Sequence, residues 1–242
     1  HDMIPKIFPS TTTNFTNAHG YLSDIMTCKV TEERNGAFNL EMEYPLSGIR
    51  YDELAEGAII LSSHDDSLEE QPFRIYSIER NMRSAKVKAR HAVQMVLQRM
   101  AVRPYPRGSV TVSAVMSSLN TMSSEWAQHY PTCAVQFSTD ISATLKYSKL
   151  IPSYALPLIV GEKNSIVDKL KRGEVKYSAH GISLLANRGS DTGITIEYGK
   201  NISEITGQTS TDESYTGCFL YHLVNQSLAH SKIYYYDIGN QT

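Results

Sequence analysis

Any chemistry in this sequence has to come from eight histidines, three cysteines and one dense run of acids. His1, His19, His64, His91, His129, His180, His222 and His230 are scattered. His222 and His230, the nearest pair, are too far apart to share a helical face and lie in a strand-like stretch. His64-Asp65-Asp66 with Glu69-Glu70 offers the hard oxygen donors that a divalent cation takes. It lacks the glycine turn and spaced ligands of a calcium loop, so it reads as a solvated hairpin loop. Cys133 with His129 pairs a thiol with a potential base, but Pro131 breaks the helical spacing between them and an incidental thiol is the better reading. HExxH, GxSxG, Walker and GxGxxG patterns are all absent. No catalytic residue, cofactor or metal is expected.

Charge is the more informative pattern. Net charge over the 242 residues is −2. From Thr31 to Glu70, however, eleven acids face two bases, and from Gln71 to Gly108 nine bases face one acid. Adjacent blocks of opposite sign imply contact within one domain or two faces for two partners. The basic stretch Arg80–Arg107 has only Tyr105 as an aromatic, so it offers no stacking platform for single-stranded nucleic acid. Odd, widely spaced cysteines (Cys28, Cys133, Cys218) argue against a disulfide framework and for a reducing compartment. No signal-peptide pattern is visible at the start, and no apolar run approaches the ~20 residues of a membrane span. The fifteen tyrosines suit strand faces and protein interfaces, where one end of the ring is buried and the other stays wet.

The elements that carry these charges read as hairpins. Cys28–Glu33 and Ala37–Tyr44 alternate about Asn35-Gly36, a strong hairpin signal. Phe38, Leu40, Met42 and Tyr44 share one face, and Asn39, Glu41 and Glu43 the other. Phe73–Arg80 and Ala85–His91 form a second hairpin whose outer face carries Lys86, Lys88 and Arg90. Lys86, Lys88, Arg90, Glu41 and Glu43 are the candidate interface charges, and cross-strand pairing between the hairpins is their simplest reading. Ala58–Ser62 adds a strand. Helical spacing follows at Val93–Met100, then a turn or linker at Pro104–Gly108, then the stripe Val112, Val115, Met116, Leu119 and Met122. Residues 125–160 resist reading. Ser165–Arg172 has helix signals at both ends, and Glu174–Ser178 with Gly181–Ala186 is a hairpin candidate. Strand texture returns at Ile194–Tyr198, Tyr215–Leu223 and Lys232–Ile238. The organisation is β, then α+β, then β. From the residues alone, it reads as a β-rich binding or assembly module.

Four stretches carry a resemblance: Cys28–Pro45 (CKVTEERNGAFNLEMEYP), Gln71–Arg80 (QPFRIYSIER), Asn187–Ile205 (NRGSDTGITIEYGKNISEI) and Tyr215–Tyr221 (YTGCFLY). In this order, spread over about 190 residues, they resemble the N-terminal region of phage and prophage tail-associated proteins. These are the "prophage endopeptidase tail" family of viruses infecting Gram-positive bacteria. Residues 103–163 match only loosely. The resemblance implies an α+β, β-rich fold: a tube-type antiparallel β domain with an inserted α+β domain, similar to the hub protein of contractile phage tails. The expected limits are 1–92 for the first β part, 93–190 for the insert, and 191–242 for the return to β, continuing in a longer protein.

The implied function is structural: a baseplate or tail-tip hub, assembled in the host cytoplasm and located in the virion tail. It would form a homotrimer that caps the tail tube, docks the distal tail protein, and anchors a tail fibre or lytic domain. DNA would pass through the lumen without specific binding, and no membrane is implied. The alternative is an endopeptidase acting on the host cell wall during DNA entry. In the family that activity lies in C-terminal domains, no motif here matches one, and the chain is expected not to be an enzyme.

Overall fold

Alternating apolar and charged residues build most of the first half of the chain into one sheet, in a computed structural model that describes residues 4–16, 19–63, 69–103, 105–149, 153–189, 217–224 and 227–235. The strands are β1 (Lys6–Phe8), β2 (Gly20–Tyr21), β3 (Thr27–Glu32), β4 (Phe38–Pro45), β5 (Ile59–Ser63), β6 (Glu70–Arg80) and β7 (Ser84–His91). They form a seven-stranded antiparallel sheet in the order β2-β1-β5-β6-β7-β4-β3. The β6–β7 register slips between Ile75 and Ser77, which leaves Tyr76 as a bulge. Such an insertion bends a strand and sharpens its twist, and the sheet curls into a half-barrel.

Both hairpins turn on asparagine. Asn35 takes a left-handed conformation (φ 57°), which its short polar side chain tolerates. Asn81 accepts hydrogen bonds from the Arg83 and Ser84 backbone N–H at 2.8 and 2.7 Å.

The rest of the first unit wraps around this sheet. The elements are α1 (Ala92–Leu97), β8 (Ala101–Val102), β9 (Tyr105–Thr111), α2 (Val112–His129), β10 (Gln136–Thr139), β11 (Thr144–Lys149), β12 (Ser153–Tyr154), α3 (Ala155–Ile159), α4 (Ile166–Leu170), β13 (Glu174–Ser178) and β14 (Gly181–Leu185). Two expectations are corrected here, and one unread stretch gains an element. The anticipated turn or linker at Pro104–Gly108 contains a strand, β9, paired with β11. Pro106 lies opposite the irregularity between Tyr147 and Lys149, where no ladder donor is required of it. The unreadable stretch 125–160 contains β10, which pairs in parallel with β14 over 40 residues away, a contact without local signature. Gly181 permits that pairing, since a Cβ there would stand 2.7 Å from the Gln136 carbonyl oxygen. The second correction is smaller: the helix expected at Ser165–Arg172 spans only Ile166–Leu170, capped by Ser165 and ended by Lys171 at φ 54°.

Among the described residues the main core runs through this unit from Ile7 to Leu184, and a small second cluster joins Phe8, Ile59 and Leu61. The stripe expected on α2 is its buried face. Asn120 pins α2 to β10, donating to the Phe137 carbonyl and accepting from the Phe137 N–H, both at 2.8 Å. Gln94 of α1 is buried and donates to the Gly36 carbonyl at 2.8 Å, while its oxygen accepts from the Phe38 N–H at 3.2 Å.

Asn35 does similar work across 138 residues. It donates to the Gly173 carbonyl at 2.9 Å and accepts from the Val175 N–H at 2.8 Å, clamping the first hairpin to β13. Asn35→Ala should therefore cost about 2–3 kcal/mol, from two lost hydrogen bonds and a strained φ. Asn35→Gly, which keeps the φ, should cost about half of that. Urea unfolding of both variants checks this, and equal losses would refute the contribution of φ.

A second prediction concerns pH. Burial pushes the Tyr177 phenol up to about 12, helped by nearby Glu32 and opposed by a hydrogen bond from Gln94. The unfolded phenol loses its proton near 10, so between these values the folded state holds more protons. Stability should fall as pH rises from 10 to 12, by up to about 3 kcal/mol, and be unaffected by this group below pH 10. Tyr177→Phe should flatten the slope, and an unchanged slope in that variant would exclude this origin.

The second compact unit covers residues 191–242. It contains the antiparallel hairpin of β15 (Gly217–Val224) and β16 (Ser227–Tyr235), with a bulge between Leu220 and Tyr221. The strand expected at Ile194–Tyr198 lies outside the described residues.

Candidate assembly interface

The alternation that buries Phe38, Leu40, Met42 and Tyr44 turns Asn39, Glu41 and Glu43 to the opposite face of β4. On β7 the same rule buries Ala85, Val87 and Ala89 and turns out Lys86, Lys88 and Arg90. The β4–β7 register sets Glu41 opposite Lys88, Glu43 opposite Lys86 and Asn39 opposite Arg90. Extended to the neighbouring strands, this gives cross-strand rows: Lys29, Glu41, Lys88 and Ser77 in one, and Thr27, Glu43, Lys86 and Glu79 in the next. The third row is Thr31, Asn39, Arg90 and Arg74. Signs alternate along the first two rows and the third ends in two arginines. All five sequence-identified charges thus share one sheet face.

Their direct partners differ in part from simple cross-strand pairing. Lys88 Nζ donates to Glu79 Oε1 at 2.8 Å, across the β6–β7 diagonal. That hydrogen bond holds the Glu79 carboxyl below its usual range and raises the Lys88 ammonium. Glu43 accepts from the Ser84 hydroxyl. Arg90 donates to Asn39 at 3.3 Å and to Gln98 at 2.9 Å, and lies 5.5 Å over the Tyr76 ring. Glu79, the one acid of the basic block, is the ion-pair partner that sequence reading overlooked. Its signal was present: a turn at Asn81–Ser84 places residue 79 opposite 86 and diagonal to 88.

The remaining candidates disperse. His64–Leu68 lie outside the described residues. Of the flanking acids, Glu69 stands 3.7 Å from Lys176, and Glu70 pairs with Lys6 at 2.8 Å. Among the described residues no cluster of His, Cys, Asp or Glu could hold a metal ion. His129 is exposed at the end of α2, and Cys133 is half-buried in the turn Pro131–Cys133. Among the described residues no helix is long and apolar enough to cross a membrane.

What sequence reading also missed is a pocket of about 250 Å³ beside this face. Arg74, the register partner of Arg90, lines it with Met95, Val96 and Met100 of the α1 region, Trp126 of α2 and Tyr130 just past its end. Arg74 donates to the Ser10 and Gly57 carbonyls at 3.0 and 2.9 Å, and burial lowers its guanidinium from the usual value.

No protein-family model and no curated protein matches the sequence. Among solved structures, prophage tail protein gp18 from Listeria monocytogenes matches over 90% of this chain with a TM-score of 0.60 and 14% identity. The tail protein from Neisseria meningitidis matches over 89% of this chain with a TM-score of 0.48 and 9% identity. The chain spans 62% of the length of each. The β-rich fold described above is that of the Listeria tail protein over this span.

Proposed function

We propose that this chain is a structural component of a phage-type tail, acting at the tail tip or baseplate hub. The observation that carries the reading is the fold, which follows a prophage tail protein over 90% of the chain. The family-like stretches Cys28–Pro45 and Gln71–Arg80 build β3, β4 and β6 of the charged sheet, which ties the sequence resemblance to this architecture. In this reading copies associate into a homotrimeric ring that caps the tail tube. The ring meets the distal tail protein on one side and carries a fibre or lytic module on the other. DNA passes through its lumen unread, and the protein resides in the virion tail.

Ring formation is the testable core of the proposal. Light scattering of the full-length protein with its distal tail partner should give a three-copy complex. A strict monomer that never binds that partner overturns the proposal. A cell-wall degradation assay separates this reading from the endopeptidase alternative. The expected result is no release of soluble wall fragments by this chain, and sustained release would favour the enzyme.

A further inference from the structure

The pocket beside the charged face combines three features that belong together in a peptide-binding site. Its floor is apolar, formed by Met95, Val96 and Met100. Its wall carries Trp126 and Tyr130, one helical turn apart, with ring centroids 6.2 Å apart and 41% and 57% of their surfaces exposed. Large aromatics left wet beside an apolar recess are typical anchors of protein contacts. Its rim carries Arg74 and Arg99. Arg34, Arg50, Arg103 and Arg188 each pair with a carboxylate. Among the described residues, Arg74 and Arg99 have no carboxylate within ion-pair distance. Arg74 is partly withdrawn from water and held, among the described residues, only by two backbone carbonyls, so an incoming carboxylate gives it the counter-charge it lacks, while exposed Arg99 adds a second cation at the rim.

We infer that this pocket receives the acidic connection between β5 and β6 of a second copy of the chain. The inference rests on the ring reading above and gives that ring a specific contact. The connection follows Ser63, whose strand pairs with Glu70, and it reads His64-Asp65-Asp66-Ser67-Leu68-Glu69. Asp65 and Asp66 supply the carboxylates that Arg74 and Arg99 lack, and Leu68 supplies one branched aliphatic side chain for the floor. The acidic segment and the pocket residues are different stretches of the chain, so a contact between copies joins unlike partners and propagates head to tail, closing when the rotation allows. Arg74 shares its strand face with Arg90, so pocket and charged rows form one continuous contact area.

Complementary variants test this, because Arg99 is exposed and Asp65 and Asp66 fall between the paired strands β5 and β6. Arg99→Glu disables the pocket, and Asp65→Asn with Asp66→Asn disables the loop. In sedimentation velocity the parent chain should self-associate with rising concentration, and each variant alone should remain monomeric. An equimolar mixture of the two should form a dimer and nothing larger, since one intact loop meets one intact pocket. Trp126, the sole tryptophan, reports occupancy directly. A synthetic peptide of residues 62–71 should shift its emission saturably, and the same peptide with both aspartates changed to asparagine should bind at least tenfold more weakly. The inference fails if the parent is monomeric and peptide leaves Trp126 unchanged. It also fails if the variants assemble like the parent, or if the loop variant alters Trp126 emission at all dilutions, which would place the loop in its own pocket. Ring formation by full-length Arg99→Glu protein with the distal tail partner would remove this contact yet leave the hub reading intact.

Discussion

Phe38→Ala is expected to destabilise the first unit by about 3–5 kcal/mol, a large part of the margin of a typical domain. Phe38 is 1% exposed and meets rings from three other strands. Phe73 of β6 packs edge-on at 5.1 Å, His91 of β7 stacks at 4.9 Å, and Tyr177 of β13 tilts against it at 6.1 Å. Truncation therefore opens a cavity where the sheet meets β13, and those aromatic surroundings cannot collapse to fill it. Phe38→Leu, which keeps much of the volume, should cost well under half as much. Urea midpoints of the two variants decide the matter. A loss below about 1 kcal/mol for Phe38→Ala would mean that the ring cluster is not the joint between these parts.

The second large effect concerns assembly. Simultaneous Lys86→Glu, Lys88→Glu and Arg90→Glu should leave a folded chain that no longer enters the ring. On the sheet face these changes set acids beside Glu41, Glu43 and Glu79, and they remove the Lys88–Glu79 pair. Exposed cross-strand charges contribute little to folding, because water and salt screen them. The thermal midpoint should therefore move only a few degrees, whereas an interface facing a complementary surface becomes repulsive. Circular dichroism together with light scattering of the full-length variant and its distal tail partner separates the two effects. If neither stability nor assembly changes, the face is simply solvated. Restored assembly at high salt would tie the defect to charge.

Legibility followed the range of each interaction. The hairpin of β3 and β4 was readable because Asn35-Gly36 and a period of two are properties of neighbouring residues. The opposition of Glu41 and Glu43 to Lys88 and Lys86 was also accessible, since two alternating strands leave few registers that bury their apolar faces. The pairing of β10 with β14 was not, because a parallel contact between distant segments leaves no mark in either. Pro104–Gly108 misled for a related reason: proline excludes a central strand but tolerates an irregular two-stranded ribbon. Arg74 and Trp126 sit 52 positions apart, and only packing of α2 against the α1 region makes them walls of one pocket.

By itself, then, the sequence determined which segments alternate, where they turn and that opposite charges lie in adjacent hairpins. These follow from side-chain period and turn chemistry, which act over a few residues. The tertiary structure alone decided that Asn35 reaches across to β13, and that two arginines with no carboxylate partner among the described residues border an aromatic recess. Each of these depends on which surfaces must be buried together once the sheet curls, and burial is a property of the whole chain.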